Sequence, residues 1–391
     1  MTNPVLKALG HPFRLGIVGG APPSMIGPVH RLAATMDQRF ALVAGMLSSR
    51  AERSRAEGAA IGLPEARCYD NIEEFLANER AREDGIEALA IVTPNDTHAP
   101  YLRLALAAGL DVMMEKPLCN ELREARELRD LVASSGCAVA VTHTYSGYPM
   151  VREMRARCRA DEIGTLRLVQ IEYLAGGLAT AVELGPDAEQ RWRLKPERSG
   201  PSLVLGDIGT HAHHLVSFVT GRSFETVSAD VGAMVPGRAV HDIAQVRFHL
   251  ADGVRGQLEV SNAAAGMSNQ IRLRVYGDSG HMEWQHGRHN ELRIASLSGD
   301  VRIISGGQPT LGADAQHSSR LMRPGHPEGL QEAVANLYCD LADMMLARRG
   351  HPTSGASILA PRIEDGVAGL AFVMACLESS AKDGAMVRLS K

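Results

Sequence analysis

From about Arg14 to Thr144, the sequence alternates regularly between short apolar runs and segments in which apolar residues recur at helical spacing. Two neighbouring parallel strands need a crossover long enough to hold a helix, so this alternation predicts βαβ units. The expected product is a doubly wound parallel sheet. The predicted strands are 14–19, 41–47, 86–92, 111–114 and 137–141, and the predicted helices are 26–36, 51–61, 97–108 and 121–134.

Beyond about Thr144, apolar and polar side chains alternate with a period of two. Residues 244–250 and 254–260 flank an Ala-Asp-Gly turn and predict a hairpin with one face in water. Residues 271–275 and 282–284 extend the pattern across a second turn. The second half is therefore expected to form a large open, mainly antiparallel sheet covered by helices, one of them near 364–379. The Gly/Ser-rich stretch 296–314 is expected to be a loop.

Length, charge and cysteine usage limit the class of protein. At 391 residues, two domains are expected. A net charge of -4 without a dense Lys/Arg cluster argues against nucleic-acid binding, and no uncharged run is long enough for a membrane helix. We expect a soluble, cytoplasmic protein, because no secretory signal is recognisable. The six cysteines are scattered, which argues against disulfides and against a thiolate metal site.

The loop from Gly19 to Gly27 lies where a dinucleotide fingerprint belongs, between the first strand and the helix that follows it. Glycines there leave the backbone N–H groups open to a pyrophosphate, and the N-terminus of the next helix favours negative charge. An ordinary Gly/Pro loop is the alternative reading. The residues that we assign to cofactor binding in this loop are Gly19, Gly20, Ser24, Ile26 and Gly27.

The second predicted strand is followed by Ser48, Ser49 and Arg50, where NAD-binding proteins usually carry an acidic residue that binds the ribose. Hydroxyl groups together with Arg50 or Arg53 match the 2′-phosphate of NADP, since guanidinium binds phosphate oxygens bidentately. This pattern favours NADP(H) over NAD(H) within a general expectation of an NAD(P)(H) cofactor. Arginines that simply open an exposed helix are the alternative.

Two more predicted strands end in polar residues at the edge where doubly wound sheets bind ligands. Asp96 or Thr97 could equally be an ordinary helix cap. Farther along, Asp207 and His211 are four positions apart, so on a helix they would share one face and could act together. A buried structural histidine is the alternative for His211. The residues at the strand ends are Thr93, Pro94, Asn95 and His98 in one case, and Glu115, Lys116 and Pro117 in the other.

Taken in order, the glycine loop, the Thr93-Pro94-Asn95 segment with His98, Glu115-Lys116-Pro117 and the Asp207/His211 pair resemble the Gfo/Idh/MocA oxidoreductases over nearly the whole chain. The resemblance implies an N-terminal Rossmann domain, 1–144, and a C-terminal α+β domain for substrate binding and oligomerisation, 145–391. It also implies hydride transfer between a nicotinamide and a hydroxyl of a sugar, glycoside or polyol. No metal is expected.

In that family pattern Lys116, Asp207 and His211 match the catalytic trio. His211 would be the general base, because imidazole ordinarily titrates near pH 6.5 whereas a lysine amine starts near 10.4. Lys116 would orient the substrate oxygen, and Asp207 would hold a cation or orient the histidine. Asn95, His98 and Glu115 match positions beside the ribose and nicotinamide. For the substrate wall we expect Tyr145, Tyr148, Trp192 and Arg193, with Lys195 nearby.

Two departures from the family pattern concern the cofactor: the glycine loop is long and the acidic residue after the second strand is missing. The long loop is similar to that of members that act on anhydrosugars and glucosides. Two other functions stay open: a sugar epimerase, eliminase or glycosidase that uses the same cofactor through a transient ketone, and a non-catalytic regulatory protein. We also expect a homodimer or homotetramer through the C-terminal sheet, on the assumption that its open face is apolar.

Overall fold

The computed structural model describes residues 3–185 and 191–390. The chain divides into two compact units. Unit 1 contains residues 1–119, 123–147 and 330–366, and unit 2 contains residues 120–122, 148–329 and 367–391. The segment 330–366 thus lies with unit 1, although it follows the second half of the sequence.

The core of unit 1 is a five-stranded sheet in the order β2-β1-β3-β4-β5, and every pairing in it is parallel. This is the doubly wound sheet that the alternating pattern predicts. The central strand β3 is buried along its whole length, because helices cover both faces of a parallel sheet. The strands are β1 (Phe13–Gly19), β2 (Phe40–Met46), β3 (Ala88–Val92), β4 (Asp111–Met114) and β5 (Val139–Val141).

Six helices of unit 1 come from the first half of the chain, and a long seventh comes from the C-terminal segment. Helix α11 packs against α2, and Val29 and Ala33 belong to the same hydrophobic core as Val334 and Leu341. The sequence pattern did not predict α1, α4 or α11. The helices are α1 (Pro4–Leu9), α2 (Ile26–Met36), α3 (Ala51–Ala60), α4 (Ile72–Arg80), α5 (His98–Ala107), α6 (Leu122–Ser135) and α11 (Leu330–Arg348).

Unit 2 contains a nine-stranded sheet in the order β13-β12-β11-β10-β6-β9-β8-β7-β14. All its pairings are antiparallel except β6 with β9, and both predicted hairpins are present. The strands are β6 (Leu166–Leu174), β7 (Phe224–Gly232), β8 (Ile243–Leu250), β9 (Arg255–Ser261), β10 (Gln270–Gly277), β11 (Gly280–Gln285), β12 (Glu291–Ser296), β13 (Val301–Ser305) and β14 (Val387–Arg388).

The expectation of a loop over 296–314 is wrong in two places. Residues 301–305 form the edge strand β13, which pairs with β12, and residues 313–317 form a short helix. The β-branched run Val301, Ile303 and Ile304 explains the strand, since such side chains fit a pleated surface. The Gly and Ser residues around it obscured this signal.

One face of the unit 2 sheet is buried under helices and the other is polar. Along β6, Val169, Ile171 and Tyr173 are buried, whereas the alternate residues Gln170 and Glu172 are partly exposed. The outward face therefore carries charged and amide groups, and the apolar face assumed for oligomerisation is not present there. The helices of this unit are α7 (Pro149–Arg159), α8 (Pro196–Ser199), α9 (Thr210–Thr220), α10 (Ala313–His317) and α12 (Ile363–Ser380), whose residues 363–366 are assigned to unit 1.

None of the helices in the described ranges, 3–185 and 191–390, is both long enough and apolar enough to cross a membrane. Oligomerisation through the C-terminal sheet stays a prediction, but the open face of that sheet is polar, so burial of an apolar face is not what would drive it.

Candidate active site

The carboxyl ends of the parallel strands in unit 1 bring several of the predicted site residues to one edge of the sheet. Gly19 ends β1 and pairs with Val92 at the end of β3, and Met114 at the end of β4 pairs with Ile91 and Val141. Ligands of doubly wound sheets bind at this edge. The loops that follow these strands carry the glycine run, the Thr93 segment and the Glu115-Lys116 pair.

Three glycines of the first loop are required by close backbone contacts. A Cβ atom at Gly19 would lie 2.4 Å from the Val92 carbonyl oxygen, and one at Gly27 would lie 2.0 Å from the Gly20 carbonyl oxygen. Gly19 and Gly20 also have positive φ values of 85° and 81°, which other residues rarely adopt. The loop is therefore folded tightly against the end of β3 and against its own helix.

Helix α2 begins directly after this loop, at Ile26, which is partly buried. The Ser24 hydroxyl accepts a hydrogen bond from the Gly27 N–H at 3.2 Å, and the Arg31 guanidinium donates to the Gly20 carbonyl at 3.0 Å. Burial lowers the pKa of Arg31, while Glu57 opposes that shift. The first turn of α2 and the loop are thus tied together. The Gly27 N–H is bonded to Ser24 and Pro28 carries no N–H, so an anion at this end would be attracted mainly by the helix dipole.

The residues after β2 lie at the same edge and are open to solvent. Ser49 and Arg50 are exposed, Ser48 and Arg53 are partly buried, and the Ser48 hydroxyl accepts from the Arg50 N–H at 3.2 Å. The guanidinium groups of this segment are accessible to a ligand.

The segment after β3 is held by His98, whose two ring nitrogens both face carbonyl oxygens. Nδ1 lies 2.7 Å from the Pro117 oxygen and Nε2 lies 2.9 Å from the Thr93 oxygen. Burial lowers the pKa of His98, although the two carbonyls and Glu115 act in the opposite direction. Asn95 is buried and Pro94 partly buried. His98 therefore connects the Thr93 turn to the Lys116-Pro117 turn.

The side chain of Glu115 is buried. Its Oε1 lies 2.9 Å from Nε2 of His30, and its Oε2 accepts the backbone N–H of Lys116 at 3.1 Å. Nδ1 of His30 lies 2.8 Å from the Tyr338 hydroxyl. The side chain of Lys116 itself is partly exposed at the sheet edge. Tyr145, a predicted substrate contact, is buried in the 3₁₀ turn 144–147 after β5.

In unit 2, Asp207 and His211 lie where two kinds of helix meet. Residues 205–209 form a π-helical turn, closed by the Thr210 N–H bonding to the Leu205 carbonyl, and α9 begins at Thr210. The condition under which the two residues would share a face, a helical segment, is met, but the segment is not purely α-helical. Such π turns occur often at functional sites. The ring of His211 lies 6.5 Å from that of Tyr173, centroid to centroid.

Arg193 connects Asp207 with the predicted aromatic wall of unit 2. Its Nε lies 3.8 Å from Asp207 Oδ1, and its guanidinium lies 4.6 Å from the centre of the Trp192 ring. Lys195 follows in the same segment and is partly buried. Tyr148 lies elsewhere: it is 1% exposed, packs against Trp284 and bonds to His286 through its hydroxyl at 3.1 Å. The structure thus groups Asp207, Arg193 and Trp192, with Tyr148 in the sheet core.

Sequence reasoning missed His30, Arg31 and Tyr338. His30 was detectable as a polar residue on the apolar face of α2 formed by Val29 and Ala33. Tyr338 was not, because 308 positions separate it from His30. Within the ranges that the structure describes, no group of three or more His, Cys, Asp or Glu side chains could hold a metal ion.

Two family descriptions match this chain. Residues 13–143 match the oxidoreductase family with an NAD-binding Rossmann fold, and residues 151–283 match the GFO/IDH/MocA C-terminal domain. Among curated proteins, the uncharacterized oxidoreductase YfiI of Bacillus subtilis is 33% identical over 96% of both chains. Levoglucosan dehydrogenase of Pseudarthrobacter phenanthrenivorans is 25% identical over 73% of this chain and 77% of that one.

Among solved structures, an inositol dehydrogenase homolog of Azotobacter vinelandii in complex with NAD+ matches with a TM-score of 0.92 at 34% identity. The match covers 99% of this chain and 100% of that chain. The complex of that homolog with NADH and myo-inositol gives a TM-score of 0.89, again at 34% identity and with the same coverage.

Proposed function

The chain belongs to the Gfo/Idh/MocA family of oxidoreductases with an NAD-binding Rossmann fold, and on that premise we propose that it is a nicotinamide-dependent sugar or polyol dehydrogenase. It would transfer a hydride between the cofactor and a secondary hydroxyl or its ketone. The observation that supports this most is the glycine loop, which is packed on α2 so closely that no side chain fits, at the sheet edge that also carries Lys116.

The residues of unit 1 fit a dinucleotide. Gly19, Gly20 and Gly27 let the loop pack against β3 and the start of α2 more closely than any side chain would allow, and the N-terminal end of the α2 dipole favours a pyrophosphate. When bound, the nicotinamide supplies the hydride acceptor or donor. We assign Asn95 and His98 to the walls of the ribose and nicotinamide pocket.

For cofactor choice we propose NADP(H), since Ser48, Ser49 and Arg50 follow β2 without a carboxylate and Arg50 is accessible. The solved homolog carries NAD+ or NADH, so the proposal is decided by titrating this protein with both dinucleotides. An affinity for NAD(H) higher than that for NADP(H) would overturn it.

Three side chains of this chain carry the proposed chemistry. His211 would take the proton of the substrate hydroxyl as hydride leaves the carbon, and return it in the reverse direction. Lys116 would donate a hydrogen bond to the same oxygen. Asp207, which faces Arg193 across 3.8 Å, would hold a cationic neighbour and shape the electrostatics beside the histidine.

The substrate class follows from what Arg193 and Trp192 can recognise. A half-exposed guanidinium over an indole ring offers hydrogen-bond donors beside an apolar face, which suits the hydroxyl and C–H faces of a ring sugar or cyclic polyol. Relatives named for inositol and levoglucosan act in the same chemical class. We therefore propose a cyclic polyol, an anhydrosugar or a glycoside as substrate.

The test combines a substrate panel with three variants. Wild-type protein, Lys116→Ala, His211→Ala and Asp207→Asn are titrated with each cofactor by calorimetry, and turnover is followed as NAD(P)H formation. Loss of the general base is expected to lower turnover by roughly 100- to 10,000-fold while cofactor affinity stays unchanged. Unchanged turnover in His211→Ala would remove that residue from the mechanism, and failure to bind either dinucleotide would refute the function.

The same assay separates the non-redox alternative. A dehydrogenase accumulates NAD(P)H with substrate, whereas an epimerase, eliminase or glycosidase that passes through a transient ketone returns the cofactor to its starting state. Product formation without net cofactor change would favour the latter.

A further inference from the structure

A buried chain of polar groups crosses unit 1 from α11 to the Lys116 turn. The Tyr338 hydroxyl meets Nδ1 of His30 at 2.8 Å, Nε2 of His30 meets Oε1 of Glu115 at 2.9 Å, and Oε2 of Glu115 meets the Lys116 N–H at 3.1 Å. His30 and Tyr338 are 0% and 1% exposed. Three segments that are far apart in the sequence therefore converge on one backbone amide.

The donors and acceptors of this chain agree with one protonation state. If His30 is neutral with its proton on Nε2, it donates to Glu115, and its Nδ1 accepts from the Tyr338 hydroxyl. Burial raises the pKa of Tyr338, so its hydroxyl stays a donor. Glu115, as a carboxylate, then accepts at both oxygens, and every described hydrogen bond in the chain has one donor and one acceptor.

The charge on Glu115 depends on its neighbours. Burial alone would raise the pKa of Glu115, but the hydrogen bond from His30, with Lys116 and His98 nearby, holds that pKa below its ordinary value. These three side chains, with the Tyr338 hydroxyl, are the titratable groups that face Glu115 from α2, the end of β4, α5 and α11. Removing His30 would leave burial as the dominant effect.

The Lys116 turn is held from its other side as well. Nδ1 of His98 lies 2.7 Å from the Pro117 carbonyl, while its Nε2 faces the Thr93 carbonyl. Glu115 binds the backbone N–H of Lys116, and His98 contacts the carbonyl of the next residue, Pro117. The backbone of Lys116 is therefore held at both ends, although the side chain itself is partly exposed.

We infer that His30 and Tyr338 are positioning residues for Lys116, acting through Glu115, and that they link the lysine to the glycine-loop helix. His30 lies one turn after Gly27 on α2. A shift in the position of that helix is therefore transmitted to the Lys116 amide through the His30–Glu115 and Glu115–Lys116 hydrogen bonds. This inference rests on the proposed role of Lys116 in catalysis.

The inference predicts a specific pH dependence. In His30→Ala the buried Glu115 carboxyl should take up a proton at a higher pH than in wild type and then no longer hold the Lys116 amide as a carboxylate. Turnover of the variant should therefore fall on the acid side while wild type is still active. At the pH optimum, a loss of about 10- to 100-fold in kcat is expected, as for outer-shell partners of metal ligands.

Three further variants make the result specific. His30→Gln keeps an N–H donor toward Glu115 and should restore most of the wild-type profile. The Glu115→Gln side chain cannot ionise, so turnover of the double variant His30→Ala/Glu115→Gln should not show the fall at acid pH that is expected for His30→Ala. Tyr338→Phe leaves the imidazole on Glu115 and should show a smaller loss of kcat than His30→Ala. The matched control is Tyr69→Phe, which also removes a buried tyrosine hydroxyl of unit 1, in this case one that donates to Glu79.

Thermal melting gives a readout that does not depend on turnover. The difference in melting temperature between wild type and His30→Ala should shrink as the pH falls. The buried carboxyl then becomes neutral in the variant, while wild type loses the stabilisation that comes from its hydrogen-bonded carboxylate. A pH profile of His30→Ala parallel to that of wild type, together with a constant melting difference, would overturn the inference. Unchanged turnover in Lys116→Ala would instead refute the proposed function, whereas the melting result would still stand.

Discussion

Gly27→Ala tests the proposed cofactor site at its tightest contact. The added Cβ would lie 2.0 Å from the Gly20 oxygen and 2.6 Å from the Gly20 Cα. Ordinary contact begins at 3.4 Å, so the loop and the first turn of α2 would have to separate by about 1.4 Å. We expect the overpacking itself to destabilise the fold by about 1–3 kcal/mol.

Besides this effect on stability, the separation of the loop from α2 should weaken dinucleotide binding. If half of it falls on a loop N–H that bonds a phosphate at about 2.9 Å, the bond lengthens to about 3.6 Å and is lost. One charge-assisted hydrogen bond contributes about 1.5–3 kcal/mol, which corresponds to a Kd about 10- to 150-fold higher. Calorimetric titration with NAD(H) and NADP(H) measures this directly.

The control is Gly232→Ala at the end of β7, where an added Cβ meets no heavy atom within 4 Å. It should bind as wild type does. If folded Gly27→Ala binds both dinucleotides with wild-type affinity, the loop does not form the phosphate site.

Two further predictions concern stability. Arg238→Met should lower the free energy of unfolding by about 3–5 kcal/mol in urea titrations, because it leaves the buried Asp242, 3.0 Å from Arg238, without its cation. The double variant Arg238→Met/Asp242→Asn should recover part of that loss. A loss below about 1 kcal/mol in the single variant would contradict the reasoning. His213 lies between Phe224 and Phe372, and burial lowers its pKa to about 3. Since that folded-state pKa is below the ordinary value of 6.5, wild type should lose about 2 kcal/mol of stability as the pH falls from 7.5 to 5. His213→Leu should lack this loss, and equal pH slopes in both proteins would contradict it.

The sequence predicted the layer architecture because its two periodicities are strong. The alternation through β3 and β4 required crossover helices, and residues 244–260 required a hairpin, so both sheets were expected in their correct halves. Helix α4 was missed although its sequence contains the signal: Ile72, Phe75 and Leu76 recur at helical spacing and Asn71 caps the first turn. The alternation of residues 244–260 correctly predicted a polar face in water, and the separate assumption of an apolar open face for oligomerisation did not agree with that pattern.

The candidate site was predictable only where its residues follow strands of the first sheet. Parallel strands bring their carboxyl ends to one edge, so Thr93 and Lys116 could be placed together from sequence alone. The contacts of Glu115 could not, because His30 and Tyr338 reach it from distant helices through single hydrogen bonds. Local periodicity contains no information about such pairings.

The π turn at 205–209 has a consequence for how this scaffold tolerates shortening. Its ring closes over one residue more than an α-helix uses, so a one-residue deletion there would leave a regular helix with a complete set of backbone bonds. Every position upstream of the cut would rotate by about 100° about the helix axis relative to α9. A cut between Asp207 and His211 would leave them three positions apart, which still makes them neighbours on the helix surface. The carboxylate would, however, rotate away from its present place beside Arg193, so a protein with an intact fold would keep the pair and lose that contact.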